Sequence, residues 1–210
     1  AQAVSGSPPL HSVTAMVEPS VQEAADRVAA LLVARRQTVG VSESCCGGII
    51  SAALLAYPGA SAYYRGGHVA YSPQSQKLYF PESLLADLRA GRVRYGGEEM
   101  IRARARGIQA AMATTWGIAE TGQAGPTFVQ IKKPGGPYAK GGDGIARTSA
   151  GQATGVFAVA GDASVGDLVQ SVTVKTDMTD RRANMAEFAK AALRLLEESI
   201  RKADGSQSKL

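Results

Sequence analysis

Apolar residues return at Val21, Ala24, Val28, Leu31 and Leu32, the three-and-four spacing of one helix face, so Ser20 to Arg36 is expected to be helical. Ser20 followed by Glu23 has the form of a capping box at its start. The β-branched stretch Thr38 to Val41 then reads as a short buried strand. Gly47 to Ala56 reads as a small-residue helix stopped by Pro58 and Gly59. Farther on, Arg65 to Tyr71 alternates like a strand, Pro81 to Ala90 suits a short helix, and Glu98 to Trp116 a longer one with Ile101, Ala105, Ile108 and Met112 on one face. Gly117 to Ala119 leads into a strand. Val156 to Ala160 and Leu168 to Thr176 predict two more, and a last helix starts near Thr179 and Asp180 and carries Met185, Phe188, Ala192, Leu195 and Leu196. Strands alternating with helices imply a layered α/β domain with helices on both sheet faces.

Between these elements, Gly122 to Thr154 shows no period and is dense in Gly, Pro and Lys. It reads as a mobile, mostly irregular loop at the pocket entrance, whose Lys132, Lys133, Lys140 and Arg147 could close over an anion. The expected organisation is a flexible segment 1–19, a domain over 20–203 and a polar tail 204–210.

Composition narrows the class. With 210 residues, 45% hydrophobic and 20% charged, the chain can bury a core and suits one globular domain. No apolar run approaches the roughly 18 to 20 residues that cross a bilayer, and Ala1 to Pro19 lack the charged start and apolar middle of a signal peptide. A cytoplasmic protein with no membrane partner is therefore expected. The net charge of +5 favours an anionic partner. Arg35, Arg36, Arg102, Arg104, Arg106, Lys132, Lys133, Arg181 and Arg182 have no aromatic residues interleaved, which suits solvated helix faces and speaks against nucleic acid.

Candidate chemistry concentrates at Ser42-Glu43-Ser44-Cys45-Cys46-Gly47-Gly48, between a predicted strand and a predicted helix. Helix-start amides and small residues there could hold an anion or a developing oxyanion, with Ser44 exposed as a nucleophile. The same residues also suit simple capping. Glu43 could bind a ribose hydroxyl or accept backbone hydrogen bonds. A Cys46 thiol at the helix start could pair with His68 as a cysteine hydrolase. Two adjacent cysteines and two histidines give no familiar metal spacing, so no metal or cofactor is expected.

Four segments in unbroken order, Ser42-Glu43-Ser44-Cys45-Cys46-Gly47-Gly48, Tyr57-Pro58-Gly59-Ala60-Ser61, Arg65-Gly66-Gly67-His68-Val69-Ala70-Tyr71-Ser72 and Glu120-Thr121-Gly122-Gln123-Ala124-Gly125-Pro126, resemble the C-terminal domain of the CinA family, the nicotinamide mononucleotide deamidases. The resemblance spans roughly residues 20 to 200. It implies a stand-alone three-layer α/β/α sandwich with a mixed, mostly parallel sheet of about five strands. It also implies an amidohydrolase that turns the carboxamide into the acid and ammonia, with a small anionic nucleotide as partner and self-association open.

Carried over, the nucleophile is Ser44, assisted by Tyr71 and Thr121, with Arg181 or Arg182 near the last helix and Glu43, Cys46, Gly47, Gly48 and Gly122 around the substrate. The family pattern places its lysine base five residues after the tyrosine, where this chain has Gln76; Lys77 follows one residue later. Lys77 can serve only if the turn carries an insertion, because one residue rotates a helical side chain by about 100°. Pro73, Cys46 and the long loop also depart from the pattern. A protein that keeps the nucleotide pocket without the base is the alternative.

Overall fold

A computed structural model describes residues 17–125, 127–130, 145–148 and 153–207. The elements are α1 (Pro19–Arg35), β1 (Val39–Glu43), α2 (Ile49–Ala56), β2 (Tyr64–Val69), α3 (Pro73–Tyr79), α4 (Glu82–Arg89), α5 (Glu98–Ala111), β3 (Trp116–Gln123), β4 (Thr127–Gln130), β5 (Ile145–Thr148), β6 (Ala153–Gly161), β7 (Val169–Thr176) and α6 (Arg181–Gln207). Five strands form the main sheet in the order β2-β1-β3-β6-β7. β1 pairs parallel with β2 and β3, while β6 runs antiparallel to β3 and β7, so four strands share one direction and β6 alone is reversed.

Strand alternation sorts side chains between two cores. Val39, Val41, Trp116, Ile118, Phe157 and Val159 face α1, α2 and α6, which bring Leu32, Ile50, Leu54, Phe188 and Leu193. Ala119, Val156, Ala158 and Ala160 face Ile101 and Ala105 of α5. Ala70, Phe80, Leu84, Val93 and Met100 seal a smaller cluster beneath α3 and α4. This is the three-layer arrangement.

Several boundaries differ from expectation. α1 starts at Pro19, which sits at the first helical position where its fixed φ and missing N–H cost nothing. Glu18 is therefore the cap, accepting from the Val21 amide, and Ser20 donates to Glu18 instead of capping. α5 ends at Ala111, ahead of the β-branched Thr114 and Thr115. Thr38 and Thr115 exchange backbone-to-hydroxyl bonds of 3.2 and 3.1 Å that zip β3 onto β1, so Trp116 opens a strand. α3, too short to show a period, is set by Pro73 and the Ser72/Ser75 capping box. Within the segment expected to be irregular, β4 and β5 pair as an antiparallel ribbon. α6 runs to Gln207, into the expected tail. Lys132, Lys133, Lys140 and residues 1–16 lie outside the described residues.

Candidate active site

β1 has a parallel neighbour on each side; the chain leaves it through α2 on one face and returns from β2 through α5 on the other. This makes the crevice between the carboxyl ends of β1 and β3 the ligand-binding position of an open α/β sheet. The turn after β1 is tight because Gly47 and Gly48 adopt φ of 66° and 99°, left-handed values that other residues rarely take.

Gly48, the N-cap of α2, has no side chain, and the preceding strand supplies the cap instead. The buried Glu43 carboxylate accepts from the Gly48, Ile50 and Ser51 amides at 2.9, 3.2 and 2.9 Å and from the Ser51 hydroxyl at 2.6 Å. Burial raises its pKa against those bonds. Of the two roles open to Glu43, backbone acceptance is the one the structure fills, and both oxygens are spoken for. The Gly47 amide likewise returns to the Ser44 carbonyl at 3.2 Å.

The other half of the turn closes on Glu120, a residue that was missed as a site residue. Its buried carboxylate accepts from the Ser44 amide, from the Cys46 amide at 2.9 Å and from the Cys45 thiol at 3.0 Å. The amides expected to hold a phosphate or oxyanion thus hold the chain's own anion. The available signal was an acid ending the otherwise apolar run Trp116 to Ala119.

The structure brings four of the candidates to one sheet edge. Register pairs Ser42 with Ala119 and with His68, so the parallel ends of β1, β2 and β3 place Ser44, Tyr71 and Thr121 level. Arg181, at the start of α6, donates to the Tyr71 hydroxyl at 3.3 Å and to the Gly125 carbonyl at 3.2 Å. Asn184 fastens the same helix to the Ala124 carbonyl at 3.0 Å. Ser44, expected to be exposed, is only 8% exposed, and Thr121 is buried. Gly122 is required by close approach, since a Cβ there would stand 2.3 Å from the Thr154 carbonyl.

Arg182 is exposed. On α3, Gln76 points inward at 7% exposure and donates to the Tyr95 hydroxyl, while Lys77 lies on the exposed side. Of the two residues considered for the base, Gln76 is thus the buried one and Lys77 the exposed one.

The Cys46 and His68 side chains have separate partners. Burial pushes the Cys46 thiol well above its usual range, and that thiol donates to the Met185 carbonyl at 3.7 Å. A hydrogen bond with Cys46 pulls Cys45 down, but burial and the Glu120 carboxylate outweigh it. His68 is engaged elsewhere, 2.8 Å from the Ser42 hydroxyl. Arg104, grouped by sequence with solvated cations, is 2% exposed. It donates to the Ser42 hydroxyl at 2.8 Å, to the Ser42 and Glu43 carbonyls at 3.1 and 3.3 Å, and to the Glu120 carbonyl at 2.9 Å. Ser42 Oγ accepts from Arg104, which leaves its hydrogen available to Nε2 of His68. Burial and the Arg104 charge keep it neutral, with a pKa lowered to about 4.

Residues 21–200 match the CinA C-terminal domain model. A CinA-like protein of Synechococcus is 43% identical over 102 residues, 48% of this chain and 23% of that protein. One from Chlorobium phaeovibrioides is 32% identical over 176 residues, covering 84% of this chain and 37% of its relative. The chain thus matches only about a quarter of the length of its cyanobacterial relatives. Among solved structures, a CinA superfamily protein from Klebsiella pneumoniae superposes with TM-score 0.65 at 24% identity, covering 87% of this chain and 98% of its own. CihA from Agrobacterium tumefaciens gives 0.67 at 19%, covering 89% and 99%. Those likenesses establish the fold, and with the family model across nearly the whole domain, the chain belongs to the CinA C-terminal domain family.

Proposed function

We propose that this domain binds a small anionic carboxamide nucleotide of the nicotinamide mononucleotide kind at the β1/β3 crevice, and that its hydrolytic step is impaired. The observation that carries this reading is Gln76, buried where the resemblance puts a lysine base, with Lys77 turned to solvent. Deamidation through Ser44 requires its Oγ to attack the carboxamide carbon while its proton passes to a base. Donors must also stabilise the oxyanion that forms, before ammonia leaves. A glutamine cannot take that proton at neutral pH. Glu120 adds a second obstacle, because its carboxylate already satisfies the Ser44 and Cys46 amides and would repel an oxyanion there. Arg181 supports an anionic partner for this reading, because a cation at a helix start is unfavourable without one.

A second reading, an active amidohydrolase of the nicotinamide mononucleotide deamidase type, is favoured by the convergence of Ser44, Tyr71, Thr121 and Arg181 on one edge. Calorimetric binding of nicotinamide mononucleotide, with ammonia release measured in parallel, separates the two. The expected result is binding by the wild type, with release rising by about 10²-fold or more in Gln76→Lys, consistent with the usual worth of a general base, and lost again on adding Ser44→Ala. Wild-type turnover that Lys77→Ala abolishes would establish the amidohydrolase instead. Absence of nucleotide binding sinks both.

A further inference from the structure

Cys45, Cys46 and Glu120 are adjacent in space although Glu120 is some seventy residues away along the chain. Their two sulfurs and one carboxylate oxygen all lie within 4.8 Å of one another, and all three residues are buried. Chain spacing gave no hint of this, because the third group arrives on β3, whose register brings it alongside the end of β1.

We propose that these three side chains form a binding site for one soft or borderline divalent cation of the zinc class, clamping the Ser44 turn to β3. The donor set decides the class. Two thiolates select zinc-like ions, whereas magnesium and calcium require oxygen ligands. Three protein ligands also leave a fourth tetrahedral position open, the coordination pattern of non-structural zinc sites.

The charge balance suits such an ion. Binding proceeds as two thiols plus one divalent cation giving a dithiolate complex and two protons released to solvent, so the net charge buried at the site does not change. The Glu120 carboxylate is already held in place by the Ser44 and Cys46 amides, which fixes one ligand before the ion arrives. The site is independent of whether the nucleotide is hydrolysed, since none of its ligands is Ser44, Gln76 or Arg181.

The test is a titration of the reduced, full chain with Cd²⁺, watching the sulfur-to-cadmium charge-transfer band in the ultraviolet together with proton release in weak buffer. That band reports sulfur ligands only, so His11 and His68 do not contribute. The expected result is saturation at one ion per chain, with about two protons released per ion. Zn²⁺ should displace Cd²⁺, a large excess of Mg²⁺ should not, and the melting temperature should rise with either soft ion. Cys45→Ser and Cys46→Ser should each weaken binding by about 100-fold, and Glu120→Gln by about 10-fold. A wild type that shows no band at one equivalent and no shift in melting temperature overturns the proposal, as does a band that persists in the double cysteine variant. If the variants do not fold, the wild-type band, proton count and melting shift decide on their own.

Discussion

The two faces of the central sheet are built on opposite principles. Beneath α1, α2 and α6, away from the Glu43 and Glu120 carboxylates at the strand ends, the contacts are apolar, with Phe157 and Phe188 meeting edge to face at 5.8 Å. Beneath α5 the apolar residues are mostly alanines, and the largest buried side chain is Arg104. Arg104 lies 4.7 Å over the Phe80 ring and hydrogen-bonds only to carbonyls and one hydroxyl. Among the described residues its Nε has no partner. The first face supplies stability by burial. The second spends some of that stability to hold a cation and a neutral histidine under the crevice.

The contrast breaks most severely on the apolar side. Phe188→Ala removes a fully buried ring from the larger core and is expected to cost about 4 kcal/mol, measured by chemical denaturation. A loss below about 1 kcal/mol would mean that the α6 face collapses around the gap and does not specify the fold as tightly as its packing implies.

On the polar side the expected behaviour is coupling. Arg104→Met should cost about 3 kcal/mol, because it removes the buried cation whose charge acts on Glu120 and its hydrogen bonds to the Ser42 hydroxyl and to the Ser42 and Glu120 carbonyls. Adding Glu120→Gln should return about 1 to 2 kcal/mol of that loss, since the two residues share one charge environment. Strict additivity in the double-mutant cycle would show that Arg104 and Glu120 act separately.

Sequence periodicity made the apolar face legible and left the polar one hidden. Val21, Val28, Leu32, Phe188, Ala192 and Leu196 were placed correctly because burial there follows helix spacing alone. Arg104 stands three residues after Ile101 and four before Ile108, so the same spacing set it facing inward. What concealed it was the expectation that arginine stays solvated, which holds only until enough acceptors converge on it. Glu120 was hidden differently: it pairs with residues some seventy positions away, and only strand register brings them together. The motif around Ser44 could be read locally, but what fills the turn could not.

His68 offers a gentler probe of the polar face. Its folded pKa of about 4 lies below the usual 6.5, through burial and then the Arg104 charge. Between those values the unfolded chain takes up a proton that the folded imidazole refuses, so stability falls as pH drops from about 6.5 to about 4. The ring is partly exposed and stacks on Tyr79 at 4.3 Å, so the expected loss is about 1 to 2 kcal/mol, less than the full shift would give. His68→Gln, whose amide oxygen can still accept from Ser42, should flatten the wild-type curve within that window; an unchanged slope would place the titrating group elsewhere.

The smallest contrast is between neighbours on α3. Gln76 is 7% exposed and donates to Tyr95, while Lys77 on the next position faces solvent. Gln76→Ala should cost about 1 kcal/mol, the usual net worth of a hydrogen bond, with part of the loss offset because Tyr95 is 58% exposed and its hydroxyl can turn to water. Lys77→Ala should stay within about 0.5 kcal/mol of the wild type, as exposed substitutions without partners do. Reversal of that order in denaturation midpoints would mean that α3 is rotated by one position in solution. Such a rotation would carry Lys77 inward and favour the amidohydrolase reading proposed above.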